Sequence, residues 1–215
     1  GYAIMSISSA TECKIYNNQI HHQSGSGIYP GYNSSTDIVG NVIYSNSAYG
    51  IACYQSTARI TNNTILMNQS GGILFWGASS NSLYNNLIGQ NDISQIIIND
   101  SDCDPNFYYC DIEDGLEGFT GAGSGASYTG EYLNCINEDP LFLMTGEHPY
   151  SIPQFSPCQD RGLSNLPELM DVHTDAAGNP RVSNGFIDIG AYEYYIRTDT
   201  VSGVWTQGNS PYLIT

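Results

Sequence analysis

Aliphatic residues recur along the first hundred positions at a fixed interval, and polar residues recur in step with them. Ile15, Ile38, Ile60 and Leu83 form one column, Ile20, Ile43, Ile65 and Ile88 a second, and Ile28, Ile51, Ile73 and Ile96 a third, each stepping by 22 or 23 residues. Asn18, Asn41, Asn63 and Asn86 keep the same interval, as do Gln23, Asn46, Asn68 and Asn91. A period of this size marks a solenoid, propeller or array. Within each unit the apolar runs are short, β-branched and separated by Asn, Gly and Ser, and none is long enough at helical spacing to make a helix. The pattern predicts several short strands per unit.

A unit of about 22 residues built of short strands is the size of one turn of a right-handed parallel β-helix. The predicted fold is therefore all-β, a single-stranded solenoid of about four to five coils over residues 1–98 with an irregular C-terminal cap. The Asn columns have a physical task in it. Asn tolerates the left-handed conformation at a turn between strands, and its amide can bond to the turns above and below. Coils about 4.8 Å apart would stack Asn18, Asn41, Asn63 and Asn86 into a hydrogen-bonded ladder.

After Ile98 the register fades. Residues 99–134 are Gly-, Tyr- and acid-rich, as in Gly121-Ala122-Gly123-Ser124-Gly125, and read as a long excursion. Residues 135–195 read as the last coil or coils and the cap, and 196–215 as a linker and the start of a following module. Ile4 falls 24 residues before Ile28, so the pattern opens in mid-coil, and adjacent modules of the same polypeptide are expected partners.

Charge narrows the function. Lys and Arg total 5 against 21 Asp and Glu, for a net charge of −16. Nucleic acids and anionic membranes need basic surface, so neither is an expected partner, and polyuronates and sulfated glycans are disfavoured. No apolar run is long enough to span a membrane. Within residues 15–98 the charged residues are Asp37, Arg59 and Asp92, which leaves the coils almost neutral.

The C-terminal third carries compact motifs: Asp139-Pro140-Leu141-Phe142, Ser156-Pro157-Cys158-Gln159-Asp160-Arg161-Gly162, Gly178-Asn179-Pro180-Arg181, and Gly185-Phe186-Ile187-Asp188-Ile189-Gly190-Ala191-Tyr192-Glu193. This run, over roughly residues 109–195, resembles the C-terminal portion of the choice-of-anchor Q group of secreted bacterial β-helix proteins, and the coils resemble the pectate-lyase-like superfamily. Gln159 departs from that group's pattern at an apolar position. The resemblance implies a secreted or cell-surface setting and says little about activity.

Candidate chemistry follows from strand alternation. With Ile51 and Ile73 inward, Tyr54 and Trp76 point outward on adjacent coils with Leu74 beside them. They form either a sugar-stacking platform or a patch packed under residues 99–134. Asp37 and Arg59 are expected to make a surface ion pair worth little. Asp111 and Glu113, followed by Asp114 and Glu117, are the best place for a catalytic carboxyl pair, since a glycosidase needs two such groups about 5–9 Å apart. His21 and His22 should diverge on a strand, which argues against a two-His metal site. Asp171 and Asp175 before Gly178 could offer oxygens to Ca²⁺, but the tighter spacing and distal Glu of a Ca²⁺ loop are missing, so no cofactor is expected. Asp160, Arg181, Asp188 and Glu193 are read as cap residues, with Arg181 partly buried against Asp160 or Asp188. Among the six cysteines, Cys103 and Cys110 could form a small disulfide, whereas Cys53 reads as a buried thiol.

The favoured function is a non-catalytic extracellular module, a spacer, adhesion or carbohydrate-contacting unit of a larger secreted or surface-anchored protein. The competing reading is a polysaccharide lyase or glycoside hydrolase using Asp111 and Glu113.

Overall fold

The computed structural model describes residues 1–7, 13–183 and 185–195. The tail that reads as the start of a following module, 196–215, lies outside the described residues. The chain winds as a three-sided coil. The first turn carries β1 (Ile4–Ile7), β2 (Cys13–Tyr16) and β3 (Gln19–His21). The second carries β4 (Ile28–Gly31), β5 (Thr36–Val39) and β6 (Val42–Tyr44), and the third β7 (Tyr49–Tyr54), β8 (Arg59–Thr61) and β9 (Thr64–Leu66). Then come β10 (Gly71–Trp76), β11 (Ser82–Tyr84) and β12 (Leu87–Gly89), followed by β13 (Ile96–Ile98), β14 (Asn106–Tyr108), β15 (Asp111–Ile112) and β16 (Tyr132–Leu133). Each strand pairs with its equivalent one turn away, giving parallel sheets ordered β1-β4-β7-β10-β13, β2-β5-β8-β11-β14-β16 and β3-β6-β9-β12-β15.

The aliphatic columns are the core. Ile28 faces Ile51, Ile51 faces Ile73 and Ile73 faces Ile96 in the first sheet, all fully buried. Ile38, Ile60, Leu83 and Phe107 stack likewise in the second, and Ile43, Ile65, Ile88 and Ile112 in the third. In-register packing of like side chains buries apolar surface, which is the main stabilising term of the coil.

The Asn ladder runs down one corner. The Asn41 Nδ2 donates to Asn63 Oδ1 at 3.0 Å, and Asn63 Nδ2 donates to Asn86 Oδ1 at 3.0 Å. Each ladder Oδ1 also accepts the backbone N–H of the rung before it, as from Asn41 N to Asn63 Oδ1 at 2.9 Å. A second ladder, Gln23, Asn46, Asn68 and Asn91, is built the same way and continues into Gln95 and Glu113. The left-handed conformation, however, belongs to the residue before each rung. Asn17, Asn62, Asn85, Tyr109 and Asn134 have φ of 51–55°, and Gly40 takes 71° in the same column. The bend is made by one residue and the amide is aimed by the next.

Residues 99–134 are not an excursion. Strands β14 and β15 extend the second and third sheets, Thr120 bridges Ile97, and β16 and Ile136 begin a sixth turn. The register is masked because the residue types change: Phe107 replaces the isoleucine, and Cys110 and Cys135 take the places of the ladder Asn. The steps also lengthen to 24 and 25 residues.

The C-terminal segment is irregular and lies along the flank of the coils. Leu166, Leu169, Val172 and Ile187 pack on Val39 with Tyr16 and Tyr84. Ile152, Cys158 and Ile189 pack on Leu66 and Leu87. Asn62 Nδ2 reaches the Asp188 and Gly190 carbonyls, and the Ala191 N–H donates to Thr64 Oγ1. The segment thus covers the outer faces of the second and third sheets.

Candidate functional site

The outer face of the first sheet is aromatic, with Tyr29 buried and Tyr54, Leu74 and Trp76 half-buried. Trp76 and Tyr54 are direct neighbours in register, with ring centroids 5.2 Å apart. Tyr54 touches Tyr32 at 5.1 Å, and Tyr29 lies 5.8 Å from Trp76 and 4.6 Å from Tyr2. Gly31, which occupies the column of Tyr54, makes room for this: a Cβ there would sit 2.5 Å from the Tyr29 ring. Leu74 and Ile97 pair alongside, and Met5 and Ile7 extend the strip. Tyr2 and Tyr32 remain 43% and 52% exposed. The aromatic partners of Tyr54 and Trp76 are these rings, while Asn99 follows Trp76 in the same column and Asp100 accepts the Gly77 N–H. Tyr29 follows from strand alternation and was legible beside Pro30, whereas Tyr32 sits past the strand in a left-handed turn and had no signal.

The acidic pair occupies a different place. Asp111 and Glu113 line a cleft of about 340 Å³ with Glu138, Asp139, Gln90 and Phe142. Asp111 is only 3% exposed. Its Oδ2 accepts the Cys158 thiol at 3.0 Å and its Oδ1 accepts the Glu138 N–H at 3.1 Å. Burial pushes its carboxyl up to about 6, with the Cys158 and Glu138 hydrogen bonds opposing. Glu113 is exposed, and its Oε2 accepts the Gln90 N–H and the Gln95 Nε2 at the end of the second ladder. Both carboxyl groups have architectural partners, although Asp111 also holds a proton into the range where acid catalysis operates.

Residues 2–139 match the family described as right handed beta helix region. The chain belongs to that family.

Other comparisons add little to this β-helix. It is similar to the periplasmic alginate epimerase AlgG, at 20% identity and a TM-score of 0.44, over 63% of this chain and 35% of that one. The β-helix therefore spans about a third of that protein's length. No curated protein matches the chain. Among the described residues no helix is long and apolar enough to cross a membrane.

The remaining candidates of this β-helix are placed as follows. Arg181 is fully buried, and its partner is Glu193 at 2.9 Å, not Asp160 or Asp188. It also donates to the Gly190 and Ala191 carbonyls. Asp188 instead anchors backbone, taking the Asp160 N–H at 2.7 Å and the Tyr194 N–H at 2.5 Å. Asp188 is thus a turn clamp, because its position between two backbone donors satisfies a buried carboxylate without a cation. Asp171 and Asp175 do not converge: Asp171 pairs with Lys14 at 2.7 Å, and both Asp175 oxygens accept N–H groups of Ala177, Asn179 and Glu193. Arg59 grips Asp37 by two bonds, at 2.7 and 2.9 Å, with Asp37 buried, so the pair is tighter than a solvated surface contact. His22 leaves the strand at φ 54°, which brings its Nδ1 within 2.7 Å of His21 Nδ1 where alternation alone predicts divergence. Cys103 and Cys110 are unpaired: Cys103 extends the Ser56–Ser79 column and Cys110 the Asn ladder.

Proposed function

We propose that this β-helix is a carbohydrate-contacting module of a larger extracellular or surface-attached protein, and that it holds a neutral glycan against its first sheet without turning it over. The observation that carries this reading is the aromatic face formed by the exposed Tyr2 and Tyr32 and the half-buried Tyr54 and Trp76, packed around a buried Tyr29. Aromatic rings match the apolar faces of pyranose rings, and tyrosine hydroxyls offer hydrogen bonds at the edge. No Lys or Arg lies on the strands of this face, and the net charge of −16 repels uronate and sulfate groups. Among the described residues the C-terminal segment packs along the second and third sheets, and the aromatic face of the first sheet is the surface proposed for the ligand.

A second reading, hydrolysis or lyase chemistry at Asp111 and Glu113, is favoured by the carboxyl held near 6 in a cleft. A glycan array followed by calorimetry, with reducing-sugar and unsaturated-uronide assays on the same ligands, separates the two. Trp76→Ala should weaken binding about tenfold, the equivalent of one lost aromatic contact, with melting lowered by only a few degrees through lost packing on Tyr54 and Tyr29. Binding untouched by Trp76→Ala overturns the aromatic site. Turnover abolished by Asp111→Asn replaces the proposal with the catalytic one.

A further inference from the structure

The first Asn ladder ends in sulfur. The Asn86 N–H points at Cys110 Sγ at 3.4 Å, and the Cys110 N–H points at Cys135 Sγ at 3.4 Å. Phe107 pairs with Tyr132 and Tyr108 with Leu133, and Asp111 bridges Ile136, so Cys110 stands directly beside Cys135 in the intervening rung. Adjacent parallel strands lie about 4.8 Å apart, inside the Cα separation of roughly 4.4–6.8 Å that a disulfide spans. Residues in one column project their Cβ atoms the same way, at about that same spacing, so closing the bond to a Cβ separation of roughly 3.5–4.5 Å draws the two rungs together by a few tenths of an ångström. The other buried thiols lack this arrangement: Cys53 faces Phe75, Cys103 sits under Ser79, and Cys158 donates to Asp111.

We propose that Cys110 and Cys135 are a disulfide-forming pair that, on oxidation, staples the sixth turn to the fifth at the end of the ladder. Cys135 is the accessible member and Cys110 is fully buried. Hydrogen bonds from the Cys110 thiol and N–H hold the Cys135 thiol below its ordinary value, while burial pushes Cys110 up. Cys135 is therefore the attacking thiolate. With oxidised glutathione as the oxidant, the Cys135 sulfur breaks the glutathione S–S bond, forming a mixed disulfide and releasing one glutathione thiolate. Cys110 then gives up its proton to that thiolate and attacks Cys135 Sγ, expelling the second glutathione. Two protein thiols are oxidised to one disulfide, and one glutathione disulfide is reduced to two thiols.

The staple closes a loop over residues 110–135, which carries two short 3-10 turns and meets the core through Ile112, Phe119, Tyr128 and Tyr132. The test uses the full chain, incubated folded with oxidised or reduced glutathione, then denatured, alkylated and mapped by peptide mass. A Cys110–Cys135 linked peptide is expected only in the oxidised sample. Melting should rise by about 6–12 °C on oxidation and return on reduction, the range expected for closing a loop of this length. Cys110→Asn restores an amide rung and should fold, yet show neither the link nor a redox-dependent melting shift. Alkylation of both cysteines after oxidation, linkage of either to another cysteine, or a link that leaves melting unchanged overturns the proposal.

Discussion

Replacing Asn63 by Ala tests the ladder at its centre. Asn63 is fully buried, and its amide makes bonds on both sides. Nδ2 donates to the Ile38 carbonyl at 2.9 Å, the Thr61 carbonyl at 3.1 Å and Asn86 Oδ1 at 3.0 Å, while Oδ1 accepts the Asn41 N–H at 2.9 Å and the Asn41 amide at 3.0 Å. Some of these groups have other partners: the Thr61 carbonyl also accepts the Gly40 N–H, and the Asn41 amide also reaches the Ile15 and Val39 carbonyls. The Asn41 N–H would be stranded in a dry interior, at a cost of about 1–3 kcal/mol. Loss of the Ile38 bond and the small void left behind add on the order of 1–2 kcal/mol. The expected loss is about 3–4 kcal/mol, a large share of the roughly 5–15 kcal/mol that stabilises a typical domain. Melting should fall by about 10 °C in a scanning calorimeter. Asn18→Ala is the control. Asn18 is exposed at the first rung, so its loss should stay under about 1 kcal/mol. Equal losses at the two rungs, or a drop below about 1 kcal/mol at Asn63, would refute the view that buried amide satisfaction holds the stack.

Two further outcomes follow from the flank. Arg181→Ala leaves Glu193 buried without its cation, while the Gly190 and Ala191 carbonyls keep the Asn62 Nδ2 and Ala176 N–H as donors, so chemical denaturation should show a loss of about 3–5 kcal/mol from the broken buried pair with glycan binding retained. A change under about 1 kcal/mol would sink that role. For Asp111 the sign is set by the upward shift to about 6: the contribution of its protonated form is complete below about pH 4 and is lost as pH rises through 6. The stability of the wild type minus that of Asp111→Asn should therefore fall by up to about 3 kcal/mol between pH 4 and 7, and a flat difference would contradict the burial.

The first four turns were legible because each core and ladder column repeats one kind of residue at nearly constant spacing. Beyond Ile96, the rest of the fifth turn and the sixth were not. There the columns keep their geometry but change chemistry, with Phe107 for isoleucine and Cys110 for asparagine, and the steps lengthen. Pattern matching sees identity, whereas a parallel sheet asks only for a side chain that fits the column. The left-handed position was displaced by one residue for a related reason: Asn17, Asn62 and Asn85 precede ladder asparagines, and adjacent like residues hide which one bends. Alternation placed Tyr54 and Trp76 outward on neighbouring coils, but whether residues 99–134 covered them depended on those residues winding into further turns, and the path of the C-terminal segment was equally hidden. That segment has no period, and its contacts with the coils are tertiary. The partner of Arg181 escaped for the same reason, since Glu193 reaches it only through the turn at Gly190.

The path of that C-terminal segment also bears on how the protein comes apart. In a solenoid held by neighbouring turns alone, an end can peel away while the middle stays wound. Here Lys14 in the first turn is tied to Asp171, a contact spanning 157 positions, and Asp111 in the fifth turn is tied to Cys158. Peeling the first turn therefore requires detaching a strand of chain that also grips the fifth. Such long-range closure converts a stack of semi-independent rungs into one all-or-none unit, slower to assemble and resistant to unzipping from either end.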